Sequence, residues 1–269
     1  MKSMSGSTPA RLTPMNLNFN LSLAKSYKSK SQIARILSED WLLNSAYCPG
    51  CGNNNLNKYR NNNPATDFYC FNCGSEFELK STSGSVTSNI VDGAYETLMN
   101  KILTFTNPNF FFLNYTPGYS VRNFFIIPKH FFVPAIIVKR KPLQRSARRA
   151  GWIGCNILTK NLPSWGRIFL IKNEVVVDRQ KVIGQWKKTA FLDNKELEHR
   201  GWLLELMSLI DSIPNKIFTL SEVYSFEGLM QEKFPNNRFV REKIRQQLQV
   251  LRDKGFIKFV KKGIYQKND

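Results

Sequence analysis

The sequence has little that would support several common kinds of chemistry. Its two histidines, His130 and His199, are too few for a catalytic plan built on imidazole, and both read as structural. No apolar run approaches the roughly 20 residues needed to span a bilayer. The opening MKSMSGSTPARLTP lacks the apolar centre of a signal peptide, so a cytoplasmic location is expected. Acidic residues are scarce: 20 Asp and Glu stand against 39 Lys and Arg, a formal net charge of +19. Such an excess points to a polyanionic partner, nucleic acid first and an anionic membrane surface as the rival. Of five cysteines, four fall in two Cys-x-x-Cys pairs, which suits metal ligation in a reducing compartment better than a secreted disulfide framework.

What is present is a packed chain: 269 residues, 42% hydrophobic and 13% aromatic, enough for one larger and one smaller domain. Residues 1–14 are small, polar and basic and are expected to be a disordered extension, with Met15 a candidate start. The spacing of Ile33, Ile36, Leu37 and Trp41 predicts a helix capped at Ser31. EFELKS alternates as a strand, DGAYETLMNKIL reads as a helix with Asp92 near its start, and NFFFLNYT and VRNFFIIP read as a hairpin around Pro117-Gly118. GRIFLI is a further strand, and VKRKPLQRSARRAGW looks like a loop. The fold class is therefore mixed α/β through about residue 190. After it come three helical stretches and the basic hairpin FIKFVKKGIYQK, the order of a winged helix.

Cys48-Pro-Gly-Cys51 and Cys70-Phe-Asn-Cys73 lie 18 residues apart, the spacing of a four-thiolate zinc ribbon over 48–73. Gly52 and Gly74 follow the pairs and suit the tight turns. Four thiolates would close the site, so the zinc is expected to be structural. Cys155 is left over and reads as an ordinary thiol. The intervening segment is rich in Asn and poor in aliphatics, as a knuckle held by metal would be.

Asp67 is followed, after ten intervening residues, by Glu78-Leu79-Lys80. Period-two alternation puts Glu78 and Lys80 on one strand face and Leu79 on the other. An Asp ahead of Glu-x-Lys is what magnesium-dependent phosphodiester hydrolysis uses: carboxylates for the ion, a cation beside the attacking water. Glu-x-Lys alone is common and reads equally as a solvated ion pair on a strand. The two cysteines between Asp67 and Glu78 favour the first reading, since a knuckle at a hairpin tip would bring the two carboxylates together. Pro64 stands three residues before Asp67 rather than one, and Glu39 is a candidate further acid near the ion.

On the third C-terminal helix Val240, Ile244, Gln247, Leu248 and Leu251 fall on one face, beside a stripe of Arg238, Arg241, Arg245, Gln249 and Arg252. A core-anchored helix with a basic flank suits a major-groove reader, and Lys258, Lys261, Lys262 and Lys267 of the hairpin add charge beside it. The loop holding Arg140, Lys141, Arg145, Arg148 and Arg149 ends at Trp152, a combination that suits backbone binding with an aromatic against a base. Trp152 reads equally as a core aromatic after a solvated loop.

Taken in order, AYCPGCGNN, TDFYCFNCGSEFELKS, DGAY, NPNFFFL, RRAGWIGCNI and EKIRQQLQVLRDKG closely resemble the methyl-directed (type IIM) restriction endonucleases of the DpnI family, over residues 15–266. The resemblance implies a PD-(D/E)xK nuclease domain at 15–194 with the embedded zinc site, then a winged-helix domain at 195–269. It implies magnesium at Asp67 and Glu78, water positioned or activated by Lys80, and zinc at Cys48, Cys51, Cys70 and Cys73. DNA contacts are implied at Trp152 and expected at Arg148, Arg149, Arg238, Arg241, Arg245, Gln249 and Lys261. The implied partner is double-stranded DNA carrying methylated adenine, with GATC as its site; no membrane and no obligatory protein partner are expected. A zinc-containing winged-helix regulator without catalysis is the alternative.

Overall fold

The stretches 109–115 and 121–127 carry ten apolar residues in fourteen positions, and the strands they form are buried on both faces apart from Arg122. That property organises the computed structural model, which describes residues 15–60, 66–84 and 88–268. The disordered extension expected at 1–14, and Pro64, lie outside the described residues. The chain runs through α1 (Lys30–Ser45), β1 (Asn57–Lys58), β2 (Phe68–Tyr69), β3 (Glu76–Ser83), β4 (Asn89–Ala94) and α2 (Tyr95–Leu103) to the buried pair β5 (Asn109–Tyr115) and β6 (Val121–Ile127). Then follow β7 (Ile137–Lys139), β8 (Gly154–Leu158), β9 (Ile168–Lys172), β10 (Val175–Val176) and α3 (Arg179–Thr189). The main sheet has the order β1-β2-β3-β5-β6-β9-β10, with β3 and β5 parallel and the other neighbours antiparallel. A parallel pair needs a crossover, and β4 with α2 provides it. A second sheet, β4-β8-β7, lies apart from the first.

Alternation along β5 and β6 sends Phe110, Phe112, Phe125 and Ile127 into one core and Phe111, Leu113, Phe124 and Ile126 into another on the opposite face. The second core takes Leu37, Trp41 and Leu42 of α1 and, from the cysteine region, Cys48, Leu56 and Cys70. The aliphatic-poor cysteine region is thus packed onto this core. The first core takes Ile90 of β4, Leu98 and Ile102 of α2, and the C-terminal helices.

The C-terminal part comprises α4 (Leu197–Ser212), β11 (Ile217–Thr219), α5 (Leu220–Tyr224), α6 (Glu227–Lys233), α7 (Val240–Asp253), β12 (Ile257–Lys261) and β13 (Ile264–Lys267). Its wing is a three-stranded sheet, β11-β13-β12. Trp202, Leu203 and Leu206 of α4 share one continuous core with Phe131, Leu162 and Leu192, and Trp165 packs edge-on against Phe256 at 4.9 Å.

Three local expectations are corrected. The first helix begins at Lys30 with Ser29, not Ser31, at the cap position. The stretch 219–234 breaks into α5 and α6, because a capping box at Thr219 and Glu222 starts one helix and Phe226 starts another. Asp92 does not begin a helix: it sits on β4, and α2 starts at Tyr95.

Candidate functional site

The hairpin β2–β3 carries both groups of residues singled out above. Its turn holds Cys70 and Cys73, and the segment between α1 and β1 supplies Cys48 and Cys51. The two knuckles repeat one hydrogen-bond pattern: Gly52 N donates to Cys48 O at 2.8 Å and Cys48 N to Asn53 O at 2.8 Å, while Gly74 N donates to Cys70 O at 2.8 Å and Cys70 N to Ser75 O at 2.9 Å. Both turns need a left-handed residue, and Gly52 and Gly74 supply it with φ of 79° and 68°. The result brings Cys48 Sγ to 3.6 Å from Cys73 Sγ and Cys51 Sγ to 3.5 Å from Cys70 Sγ, with all four sulfurs within 4.8 Å of one another. Zinc–sulfur bonds of about 2.3 Å in a tetrahedron place sulfurs about 3.8 Å apart, so the cluster could hold a metal ion such as zinc. Burial pushes the Cys48 and Cys70 thiols up, whereas hydrogen bonds from Asn72 and the Asn53 amide overcome burial at Cys51 and lower it to about 7. Arg179 of α3 clamps the first knuckle, lying 4.5 Å over the Tyr47 ring and donating to the Gly52 carbonyl.

At the other end of the hairpin Asp67 precedes β2. Its amide donates to Phe77 O at 2.9 Å and its carboxylate accepts from Leu79 N at 2.9 Å, so it straddles Glu78 on the neighbouring strand. Leu79 packs against the second core. Glu78 and Lys80 share the opposite face, joined by an ion pair of 2.5 Å, and Lys80 Nζ lies 5.9 Å from the centre of the Phe110 ring. A second carboxylate, Asp92, meets Lys80 Nζ at 2.5 Å. Burial drives the electrostatics here. It pushes Glu78 up to about 7, with Asp92 and Asp67 adding and Lys80 opposing, and it raises Asp67 against the pull of the Leu79 amide and Lys80. Burial alone would lower Lys80; the charges of Glu78 and Asp92 outweigh it and hold the ammonium above its ordinary value. Glu39 stands near on α1, where its two oxygens pair with Arg35 Nε at 2.8 Å and Lys58 Nζ at 2.7 Å.

Asp67, Glu78 and Lys80 are therefore brought together, and Asp92 is the member that sequence reasoning missed. The signal lay in the strand pattern. Along β4, Ile90 and Asp92 are buried while Val91 between them is 60% exposed, so the aspartate occupies a core-facing position that alternation would give to an apolar residue.

The basic loop is a hairpin extension of β7 and β8. Arg140 N donates to Gly154 O at 2.9 Å and Leu143 N to Trp152 O at 2.9 Å. Arg149 lies 5.1 Å over the Trp152 ring, Trp152 is half-buried, and Arg140, Lys141, Arg145, Arg148 and Arg149 are exposed. In the C-terminal part Val240, Ile244, Gln247, Leu248 and Leu251 are buried as the wheel requires, while Arg238, Arg241, Arg245, Gln249 and Arg252 are exposed. Tyr224 of α5 organises that flank: Arg241 and Arg245 lie 5.2 and 5.6 Å from its ring, Arg245 also donates to its hydroxyl, and Arg241 pairs with Glu227 at 2.8 Å. Lys261 and Lys262 are exposed at the wing tip, which turns at Gly263. His130 is buried against Asp193 at 3.0 Å and His199 is exposed; Cys155 is buried. Among the described residues no helix is long and apolar enough to cross a membrane.

Residues 198–267 match the model of the Dam-replacing HTH domain, a DNA-binding helix-turn-helix. Residues 15–195, the segment that holds the cysteine cluster, the carboxylates and the basic loop, match the model of DpnI, the Dam-replacing family. The chain belongs to the DpnI, Dam-replacing family.

Proposed function

We propose that this protein is a methylation-dependent endonuclease that hydrolyses double-stranded DNA at adenine-methylated sites, methylated GATC foremost, with magnesium as the working ion and zinc as a structural one. The observation that carries the reading is the convergence of Asp67, Glu78 and Lys80 on one face of one hairpin inside the family match. We assign residues 15–194 to a PD-(D/E)xK nuclease domain and 195–269 to a winged helix.

The donor set fits magnesium. Asp67 commits one oxygen to the Leu79 amide and Glu78 one to Lys80, which leaves each carboxylate a second. Two buried carboxylates whose proton affinities are both raised are a pair that a divalent cation would relieve. Magnesium ordinarily takes one or two carboxylates and completes its shell with water and phosphate. When bound, it would polarise the phosphate and supply a water of lowered pKa. Lys80, held protonated, is a hydrogen-bond donor rather than a base: it orients the attacking water and offsets charge gathering on the phosphoryl oxygens as the P–O3′ bond breaks. The Asp67 backbone clasp on β3 fixes the spacing of the two carboxylates.

Arg148, Arg149 and Trp152 would grip the duplex near the cut, and Arg238, Arg241, Arg245, Gln249 and Lys261 would supply a second reader. Methylation leaves one hydrogen on the adenine amino group and adds an apolar bump in the major groove. Burying one methyl contributes about 1 kcal/mol, so two readers on a palindrome multiply a small preference. The test is one plasmid prepared with and without adenine methylation, incubated with magnesium or EDTA. Cleavage of methylated DNA alone, with magnesium alone, is expected, as is a loss of about a thousandfold in Asp67→Ala and Lys80→Ala with binding retained. Binding of both DNAs without any cleavage would favour the non-catalytic regulator.

A further inference from the structure

Asp92 has an environment that packing alone does not explain. Its side chain is 5% exposed, on a strand where the neighbouring valine faces solvent. A buried carboxylate is costly unless it is paired, and its partner is Lys80 Nζ at 2.5 Å. A register irregularity of the strand falls beside that contact. The register of β4 on β8 slips between Asp92 and Ala94, leaving Gly93 between them out of the pairing, and bulges of this kind re-aim a side chain. Lys80 thus has two acceptors, Glu78 on its own strand and Asp92 on the second sheet. Glu78 is also the group that the nuclease reading gives to the metal. Asp92, which stands on the other sheet, lies outside that assignment.

We propose that Asp92 is the positioning residue for Lys80, holding the ammonium in the catalytic centre when Glu78 turns to the divalent ion. The inference rests on the nuclease reading above. Without Asp92, Lys80 would have Glu78 as its one fixed partner, and a divalent ion drawing charge from that shared carboxylate would leave the four-carbon stem loosely held. The same strand pair ties this anchor to the basic loop, since Asp92 lies opposite Cys155 and Ala94 opposite Gly154, the residue beside the Trp152 ring.

The experiment compares Asp92→Asn, Asp92→Glu, Lys80→Met and the double variant Lys80→Met/Asp92→Asn in the full chain. Single-turnover cleavage of methylated duplex, magnesium affinity by calorimetry, DNA affinity in EDTA and melting temperature are measured for each. Asp92→Asn is expected to slow cleavage about thirtyfold to a hundredfold, the scale of a catalytic group misplaced by about 1 Å. Its magnesium and DNA affinities should stay within about twofold, and the double variant should be no slower than Lys80→Met alone, as for residues acting in series. Asp92→Glu should recover part of the rate. Cleavage by Asp92→Asn at the wild-type rate, or additive losses in the double variant, would overturn the proposal, and weakened magnesium binding would make Asp92 a ligand instead. If Asp92→Asn does not fold, Asp92→Glu and the double variant, which removes both partners of the buried pair, carry the same comparison. A wild-type protein that cuts no DNA sinks the nuclease reading itself, a result distinct from a wild type that cuts and an Asp92→Asn that cuts equally well.

Discussion

The two ends of the β2–β3 hairpin gather ligand-type side chains in opposite ways. At the turn, four sulfurs stand within 4.8 Å of one another with their carbonyls and amides paired in two repeated knuckles. At the strand end, two carboxylates and a lysine meet with the carboxylates partly committed to an amide and an ammonium, and with proton affinities raised by burial. The first arrangement is closed: four protein ligands fill a tetrahedron and leave no position for a substrate. The second would be open on the proposed nuclease reading, because two carboxylates would leave most of an octahedral shell to water and phosphate. The proposed function would thus put stability at one end and reactivity at the other, a few residues apart along one chain.

The sharpest way to break this contrast is to remove the closed site. Cys70 belongs both to the sulfur cluster and to the second core. Cys70→Ser should abolish stoichiometric zinc, measured by elemental analysis, and lower the melting temperature by at least about 15 °C, since structural zinc contributes many kcal/mol and each is worth about 2–4 °C at this size. Cleavage would fall with it, because the same turn holds Asp67 against β3. A Cys70→Ser protein that melts like the wild type and still cuts would show that the knuckle is not what aligns the hairpin.

The open site should respond in the reverse sense. Burial raises Glu78 from 4.5 to about 7, with Asp92 adding and Lys80 opposing. A carboxyl whose folded pKa lies above its unfolded value contributes stability that is complete below the unfolded pKa and lost as pH rises through the folded one. In metal-free protein the Glu78 contribution is therefore full below about pH 4.5 and gone above about pH 7. Glu78→Gln should melt higher than the wild type at pH 8, by about 2–5 °C, and the gap should shrink toward pH 5. Magnesium should close it at pH 8 by binding the wild type alone. A gap of constant size across pH would mean that the ion pair with Lys80 governs the strand end.

Much of this was legible in the sequence because the signals were periodic or spaced. Two matched Cys-x-x-Cys pairs fix a cluster whatever surrounds them, and alternation over Glu78-Leu79-Lys80 fixes which side chains share a face. The wheel of α7 placed even Gln247 correctly in the buried seam. What escaped was set by distant contacts. VDGAYETL has the composition of a helix start, which draws Asp92 toward the helix that follows, and only pairing with β8 makes Asn89–Ala94 a strand. The helix α3 carries Lys and Arg between its apolar positions; Val182 joins the second core, and Ile183 and Trp186 stand beside Gly52 and Gly50, far upstream. The cap of α1 was misplaced by two residues, within the fraying of any helix end.

Away from both ends, on the second sheet, lies the smallest of the expected effects and the one most specific to DNA reading. Gly154 opens β8 directly after the basic loop, and a Cβ built on it would meet the Trp152 ring at 2.9 Å and the Asp92 carbonyl at 3.4 Å. The indole is the end of a side chain and can move, whereas the strand cannot, so Gly154→Ala should push Trp152 off β8 and leave the fold intact. If Trp152 touches the methylated step, this variant should weaken binding to methylated duplex about threefold to tenfold, the scale of a stacking contact, and leave unmethylated binding nearly unchanged. Trp152→Ala should show the same pattern, and Gly154→Ala added to it should do nothing more, since the ring it displaces is already absent. Equal losses on both DNAs would assign Trp152 to general backbone grip. Wild-type binding by Gly154→Ala beside a defect in Trp152→Ala would mean that the ring reaches DNA without the seat β8 gives it.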